Sequence, residues 1–256
     1  MSALRIAGVQ LDVAWEDRRA NRERVSSLAA EARRRGARVL VLPEMFATGF
    51  SLDPELTAEP PDGETPEFLR ELARRLRMVV VGGYVRREED GRGSNLALAV
   101  DEAGETLAEY AKSHLFGFMG EQRVHRAGDG PRPFAIDGVG AACFVCYDLR
   151  FCELFRLVAE RTALVLVIAS WPSERQAHWD LLLRARAVEN QQYVVGVNRV
   201  GSGGGLEYGG GSAVIDPLGR VAAHGGEREG LVVADVDPEL VAEVRKKMPF
   251  LADRRF

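Results

Sequence analysis

The 256-residue sequence predicts an α/β domain in which two sheets face each other, each covered on its outer face by helices. Three observations carry this. Short apolar runs alternate with helical patterns from the first residues onward, and the opening segments form a β-α-β unit. The strands are also numerous, and neither a repeat nor a linker divides the chain, so residues 1–256 read as one domain.

Residues 4–10 read as the first strand. Residues 17–35 place Val25, Leu28, Ala29 and Ala32 at helical spacing, Gly36 fits the stop, and residues 38–42 form a second strand parallel to the first. A helix then starts at Thr65 with Pro66 in its first turn and directs Phe68, Leu69, Leu72, Ala73 and Leu76 inward; residues 78–81 follow as a buried strand. Between residues 84 and 110 the pattern is strand, turn, strand, with Asp90-Gly91 and Ala103-Gly104 at the reversals, so this part is antiparallel. Residues 140–145 read as a strand, 151–159 as a helix and 164–169 as a strand. Ser173 and Gln176 suggest a capping box for a long helix with Ala177, Leu181, Ala185 and Val188 on one face. Strands at 194–197, 213–215, 220–222 and 231–236 follow, and Asp237-Pro238 begins a last helix.

With 46% apolar residues the chain can build a sizeable core. Its 34 basic and 38 acidic residues leave a net charge of -4 and no basic block, so nucleic acid and membrane surfaces are not expected partners. The longest apolar runs, such as 163–169, have strand length against the ~20 residues a membrane helix needs. Met1-Ser2-Ala3-Leu4-Arg5 shows no export signal, which makes the cytoplasm the expected location. Three cysteines close no disulfide framework and leave one thiol open to a chemical role.

Cys146 ends a strand and precedes a helix, where backbone N–H groups and the helix dipole are expected to lower a thiol pKa. Glu44 follows the apolar run Val39-Leu40-Val41-Leu42-Pro43, and Lys112 follows the extended segment ending at Tyr110. Singly each has an ordinary reading: a core cysteine, a surface carboxylate, a solvated lysine. Together they supply a nucleophile, a proton acceptor and a fixed cation for a tetrahedral oxyanion. Cys143 and Cys146 spell C-x-x-C, but no second such pair exists and residues three apart on a strand face opposite ways. Cys143 and Cys152 are therefore read as small buried residues, and no metal or organic cofactor is expected. The four histidines show no triad or metal spacing. The glycine runs 203–205 and 209–211 read as turns near the site mouth rather than phosphate cradles.

The motifs Leu42-Pro43-Glu44-Met45-Phe46, Tyr110-Ala111-Lys112-Ser113-His114 and Phe144-Val145-Cys146-Tyr147-Asp148-Leu149-Arg150 resemble those of the nitrilase superfamily, in the family order Glu, Lys, Cys. Arg184-Ala185-Arg186-Ala187-Val188-Glu189-Asn190 and Asn198-Arg199-Val200-Gly201 extend the likeness along the chain. The resemblance implies a four-layer α-β-β-α sandwich, a homodimer, and a second glutamate, matched by Glu121. Within the superfamily the sequence looks most like the ω-amidases, which hydrolyse 2-oxoglutaramate and 2-oxosuccinamate. Amidases of deaminated glutathione, N-carbamoyl acids or aliphatic amides are the near alternatives; a nitrilase or a catalytically dead scaffold is the more distant one. For an anionic substrate end Arg150 is the chosen cation, with an ordinary structural ion pair as its rival role. Tyr147 supplies a backbone N–H, and Phe46 and Trp171 the apolar walls.

Overall fold

The computed structural model describes residues 3–255; Met1 and Ser2, part of the opening segment read above for a leader, and Phe256 lie outside it. The chain runs β1 (Leu4–Gln10), α1 (Arg18–Arg34), β2 (Val39–Val41), α2 (Pro54–Thr57), β3 (Ala58–Glu59), α3 (Glu64–Leu76), β4 (Val79–Arg87), β5 (Gly93–Val100) and β6 (Thr106–Ala111). It continues with β7 (Phe134–Ile136), β8 (Val139–Val145), α4 (Cys152–Val158), β9 (Leu164–Ile168), α5 (Gln176–Asn190) and β10 (Tyr193–Val197). The last part holds β11 (Val200–Gly203), β12 (Leu206–Gly209), β13 (Ala213–Ile215), β14 (Val221–His224), β15 (Gly230–Val236) and α6 (Pro238–Lys247).

The first sheet has the order β15-β1-β2-β4-β5-β6 with β3 added beside β4; the second has the order β14-β13-β10-β9-β8-β7. Strands β1, β2 and β4 are mutually parallel, as are β8, β9 and β10, whereas β4, β5 and β6 run antiparallel. This agrees with the β-α-β opening and the antiparallel middle expected from the sequence.

Period-two alternation builds the layers. Leu4 and Ile6 of β1, Val39 and Val41 of β2, and Ala97 and Ala99 of β5 join the core shared with β8 and β9. The intervening Ala7, Val9, Leu40, Leu96 and Leu98 pack instead with Val25, Ala29 and Ala32 of α1 and Leu69, Leu72 and Ala73 of α3. Behind the second sheet lie α4 and α5, completing a four-layer sandwich. Asp17 caps α1 by accepting from Ala20 N, and Asp237 caps α6 in the same manner through Glu239 N.

Helix α5 departs from the expected pattern. Its inward residues are Trp179, Leu183, Arg186, Ala187 and Asn190, while Leu181 and Val188, assigned to the buried face, are 66% and 43% exposed. Polar Arg186 and Asn190 occupy inward positions, so a search for an apolar stripe selects the wrong side. No capping box forms either: Ser173–Arg175 is a 3-10 turn and Arg175 precedes the helix without a side-chain cap. The glycines at 203–205 and Gly209 belong to a hairpin, β11 and β12, with its own ladder, and Gly210 and Gly211 follow it on the way to β13. Among the described residues no helix is long and apolar enough to cross a membrane.

Candidate active site

The strand tips bring three distant side chains together. Lys112 follows β6 and Cys146 follows β8 directly, while Glu44 sits in the turn after β2. Lys112 Nζ lies 3.0 Å from Glu44 Oε1 and 2.9 Å from Glu121 Oε2, and all three residues are fully buried. Asn95 of β5 donates through Nδ2 to Glu44 Oε1 at 2.8 Å and to Glu121 Oε1 at 3.1 Å. The Ser170 backbone N–H donates to Glu44 Oε2 at 2.8 Å, and Phe116 N–H to Glu121 Oε2 at 2.6 Å.

Backbone placement is equally specific. Met45 and Cys146 both adopt left-handed φ, 45° and 46°, a conformation that L side chains hold only where surrounding contacts compensate. The Glu44 turn also crosses β4 so closely that a Cβ on Gly83 would stand 2.5 Å from Met45 N and 2.7 Å from Glu44 Cα. Glycine is therefore required at 83 for the carboxylate to be presented as it is.

Charge decides the resting state. Burial opposes an ammonium at Lys112, but Glu121 and Glu44 more than offset it and hold its pKa above the ordinary lysine range. Burial likewise acts to raise the Glu121 pKa, yet Lys112, with help from His125 and the Phe116 N–H, pushes it down to about 2. For Cys146 burial and the Glu44 carboxylate act together against Lys112, and the thiol pKa lies well above that of a free cysteine. The expected lowering by helix dipole is thus overturned. A five-residue 3-10 turn, Cys146–Arg150, stands between the thiol and α4, and one ammonium already faces two carboxylates. Cys146 therefore rests as a thiol, with the Glu44 carboxylate among the groups that hold its proton in place.

The wider motifs hold this arrangement. Buried Asp148 accepts from Tyr110 OH at 2.8 Å and Val145 N at 3.2 Å through one oxygen, and from His114 N at 2.8 Å through the other. It ties the lysine segment to the cysteine turn. Arg186 donates twice to Leu149 O, at 3.0 and 2.7 Å, closing the far end of that turn. Asn198 brackets Trp171, accepting from its N–H at 2.7 Å and donating to its carbonyl at 3.0 Å.

A cleft of about 390 Å³, counted with its open mouth, leads to Cys146 and Lys112. Tyr147, Arg150 and Trp171, named from the sequence, line it. Arg150 stacks over Trp171 at 4.7 Å and points Nη1 at His178 Nδ1, 3.3 Å away; among the described residues it forms no ion pair with a carboxylate. Phe46 does not line the cleft. It is fully buried in the core under α3, 6.2 Å from Phe68, because the chain reverses at Met45. Phe50, four residues on, lines the cleft instead, with Phe116, Arg175 and Leu206. Cys143 is buried as expected, and burial raises its thiol pKa to about 12; Cys152, expected to be buried, is exposed in the first turn of α4.

Asn95 and Ser170 were not singled out from the sequence. Each left a trace there: Asn95 is a polar residue inside the apolar strand Leu96-Ala97-Leu98, and Ser170 occupies a strand tip after β9 as Glu44 does after β2.

A family model described as carbon-nitrogen hydrolase matches residues 5–246. A 2-oxoglutaramate amidase of Bacillus subtilis is 40% identical over 223 residues, covering 86% of this chain and 85% of that protein. An omega-amidase of Yersinia enterocolitica is 35% identical over 258 residues, covering 99% and 97%. A solved CN-hydrolase superfamily protein of Xanthomonas campestris, with an arsenic adduct in its active site, superposes with a TM-score of 0.93 at 36% identity, covering 100% of this chain and 98% of that one. The chain belongs to the carbon-nitrogen hydrolase family.

Proposed function

We propose that the protein is an amidase acting on the terminal carboxamide of a small 2-oxo dicarboxylic acid monoamide, 2-oxoglutaramate or 2-oxosuccinamate, through a thioester on Cys146. The observation that carries the substrate class is Arg150: a guanidinium in the same cleft as the thiol, with no carboxylate partner among the described residues. A half-buried cation facing the cleft without a counterion among the described residues fits a substrate that brings its own anion. The relatives from Bacillus subtilis, a 2-oxoglutaramate amidase, and Yersinia enterocolitica, an omega-amidase, point the same way.

In the proposed reaction Glu44 takes the thiol proton as Cys146 Sγ attacks the amide carbon, and Lys112 Nζ with the Tyr147 N–H holds the oxyanion. Glu44 returns the proton to the departing nitrogen, which leaves as ammonia, and the thioester remains. Water then gives a proton to Glu44 as it attacks the thioester, and the collapsing intermediate releases the acid and the thiol. Glu121 keeps Lys112 charged and fixed, and no step calls for a metal or organic cofactor.

The reading extends to residues 1–256 working as one domain, in the cytoplasm, as a homodimer. Leu181 on α5 and Val221 on β14 line one shallow depression, and Val188 abuts the Gly219 turn, so exposed apolar side chains gather on the outer face of α5. A second copy would cover them.

The test is ammonia release from 2-oxoglutaramate by the wild type and by Cys146→Ala. Rapid release abolished in the variant supports substrate and nucleophile together. No release by the wild type, with Cys146 still alkylated, discards the substrate and keeps the mechanism; the other linear amides are then the candidates.

A further inference from the structure

Three cations line the cleft: Lys112, Arg150 and Arg175. The first is matched by its two glutamates. The guanidiniums are not matched inside. Among the described residues Arg150 has no carboxylate partner and meets the His178 ring and the Trp171 face, and the carboxylate paired with Arg175 is its sequence neighbour Glu174, 3.4 Å away and 77% exposed on the solvent side. Both guanidiniums are propped on rings of the cleft wall, Arg150 on Trp171 at 4.7 Å and Arg175 on Phe116 at 5.6 Å. The Trp171 indole N–H donates to the Arg175 carbonyl at 2.8 Å, which fixes the backbone carrying the second cation to the ring carrying the first.

Two like charges held in one cleft repel. After burial, Arg175 is a cause that weakens the hold of Arg150 on its proton. An arrangement of this kind gains when an anion enters between the groups, because each guanidinium presents several N–H donors in a plane suited to carboxylate oxygens.

We infer that Arg175 is a specificity-determining residue: with Arg150 it forms a two-guanidinium clamp for the acid end of the substrate, holding that end away from Cys146. On the reading above, the clamped group is a 2-oxo acid, with the carboxylate and the neighbouring carbonyl oxygen available as acceptors. The charge requirement itself holds for any amide with an anionic far end.

The experiment compares wild type, Arg175→Gln and Arg175→Lys on three amides: 2-oxoglutaramate, glutaramate, which keeps the carboxylate without the oxo group, and neutral butanamide. Arg175→Gln should lower kcat/KM for both anionic amides, mainly through KM, so that the anionic-to-neutral preference falls roughly tenfold, as befits one partly exposed charged hydrogen bond. Arg175→Lys should restore part of that preference. A preference unchanged in Arg175→Gln overturns the clamp and leaves Arg175 as a mouth residue. A wild type inactive on 2-oxoglutaramate but active on glutaramate, with the same loss in the variant, removes the substrate reading and upholds the clamp.

Discussion

Glu44→Gln separates two properties that usually move together, catalytic rate and thiol reactivity. The substitution keeps the shape and removes the charge. Glutamine can still present an oxygen to Lys112 Nζ and Asn95 Nδ2, now 3.0 and 2.8 Å from Glu44 Oε1. Its amide nitrogen then faces the Ser170 N–H, a donor against a donor, and one charge-assisted bond of 2.8 Å is lost. That loss costs about 1.5–3 kcal/mol, and Lys112 still keeps Glu121, so melting should fall by roughly 4–8 °C with the fold intact. Catalysis should fall by about 10²–10⁴ or more, because the thiol proton has lost its acceptor. Glu44 is nevertheless a cause that raises the Cys146 pKa, so its removal lets the thiol ionise more readily. Ammonia release and iodoacetamide alkylation, measured on the same preparation at neutral pH, should move in opposite directions: slower turnover, faster labelling of Cys146. Turnover and labelling that collapse together would refute the account, since Glu44 would then be activating the resting nucleophile rather than receiving its proton during attack.

Other outcomes follow from neighbouring groups. Asp148→Asn replaces an acceptor facing Val145 N and Tyr110 OH with a donor, and should destabilise by about 3 kcal/mol in urea melts while lowering kcat, because it loosens the cysteine turn from the lysine segment. Glu121 has its pKa lowered from 4.5 to about 2 by folding, so its contribution is complete above 4.5 and is lost as pH falls toward 2. Circular dichroism through that window should show a steeper acid loss of stability for wild type than for Glu121→Gln. Of the three thiols, Cys152 should label readily with a maleimide in the native protein, whereas Cys143, buried and raised to about 12, should label only on unfolding. Mass spectrometry of digests distinguishes them.

The convergence of Glu44, Lys112 and Cys146 was legible because each announces itself by position: all three follow extended segments, and parallel α/β sheets gather such ends in one crevice. What escaped was the direction of side chains beyond the strand tips. Phe46 was read as a pocket wall, but the left-handed φ at Met45 sends it into the helix-side core, and Phe50 arrives at the cleft after the further turn at Gly49. Helix α5 was read on the wrong face because two of its inward residues, Arg186 and Asn190, are polar, and they are inward in order to bond backbone carbonyls. Cys152 was placed inside although it starts α4 on the exposed side. Arg175 was passed over because it lies in a single 3-10 turn that carries no periodicity. Local pattern identifies which residues end strands; it does not resolve a one-residue backbone reversal.

The surplus negative charge around Lys112 also bears on how the cycle ends. In the mechanism proposed above, an amide brings an uncharged group to the thiol, but after hydrolysis the same carbon would carry a carboxylate beside Glu44 and Glu121, which share a single ammonium. Like charges at such range repel. On that mechanism the two-carboxylate floor favours arrival over retention: it would accept the uncharged amide and expel the acid formed from it, hindering the reverse reaction.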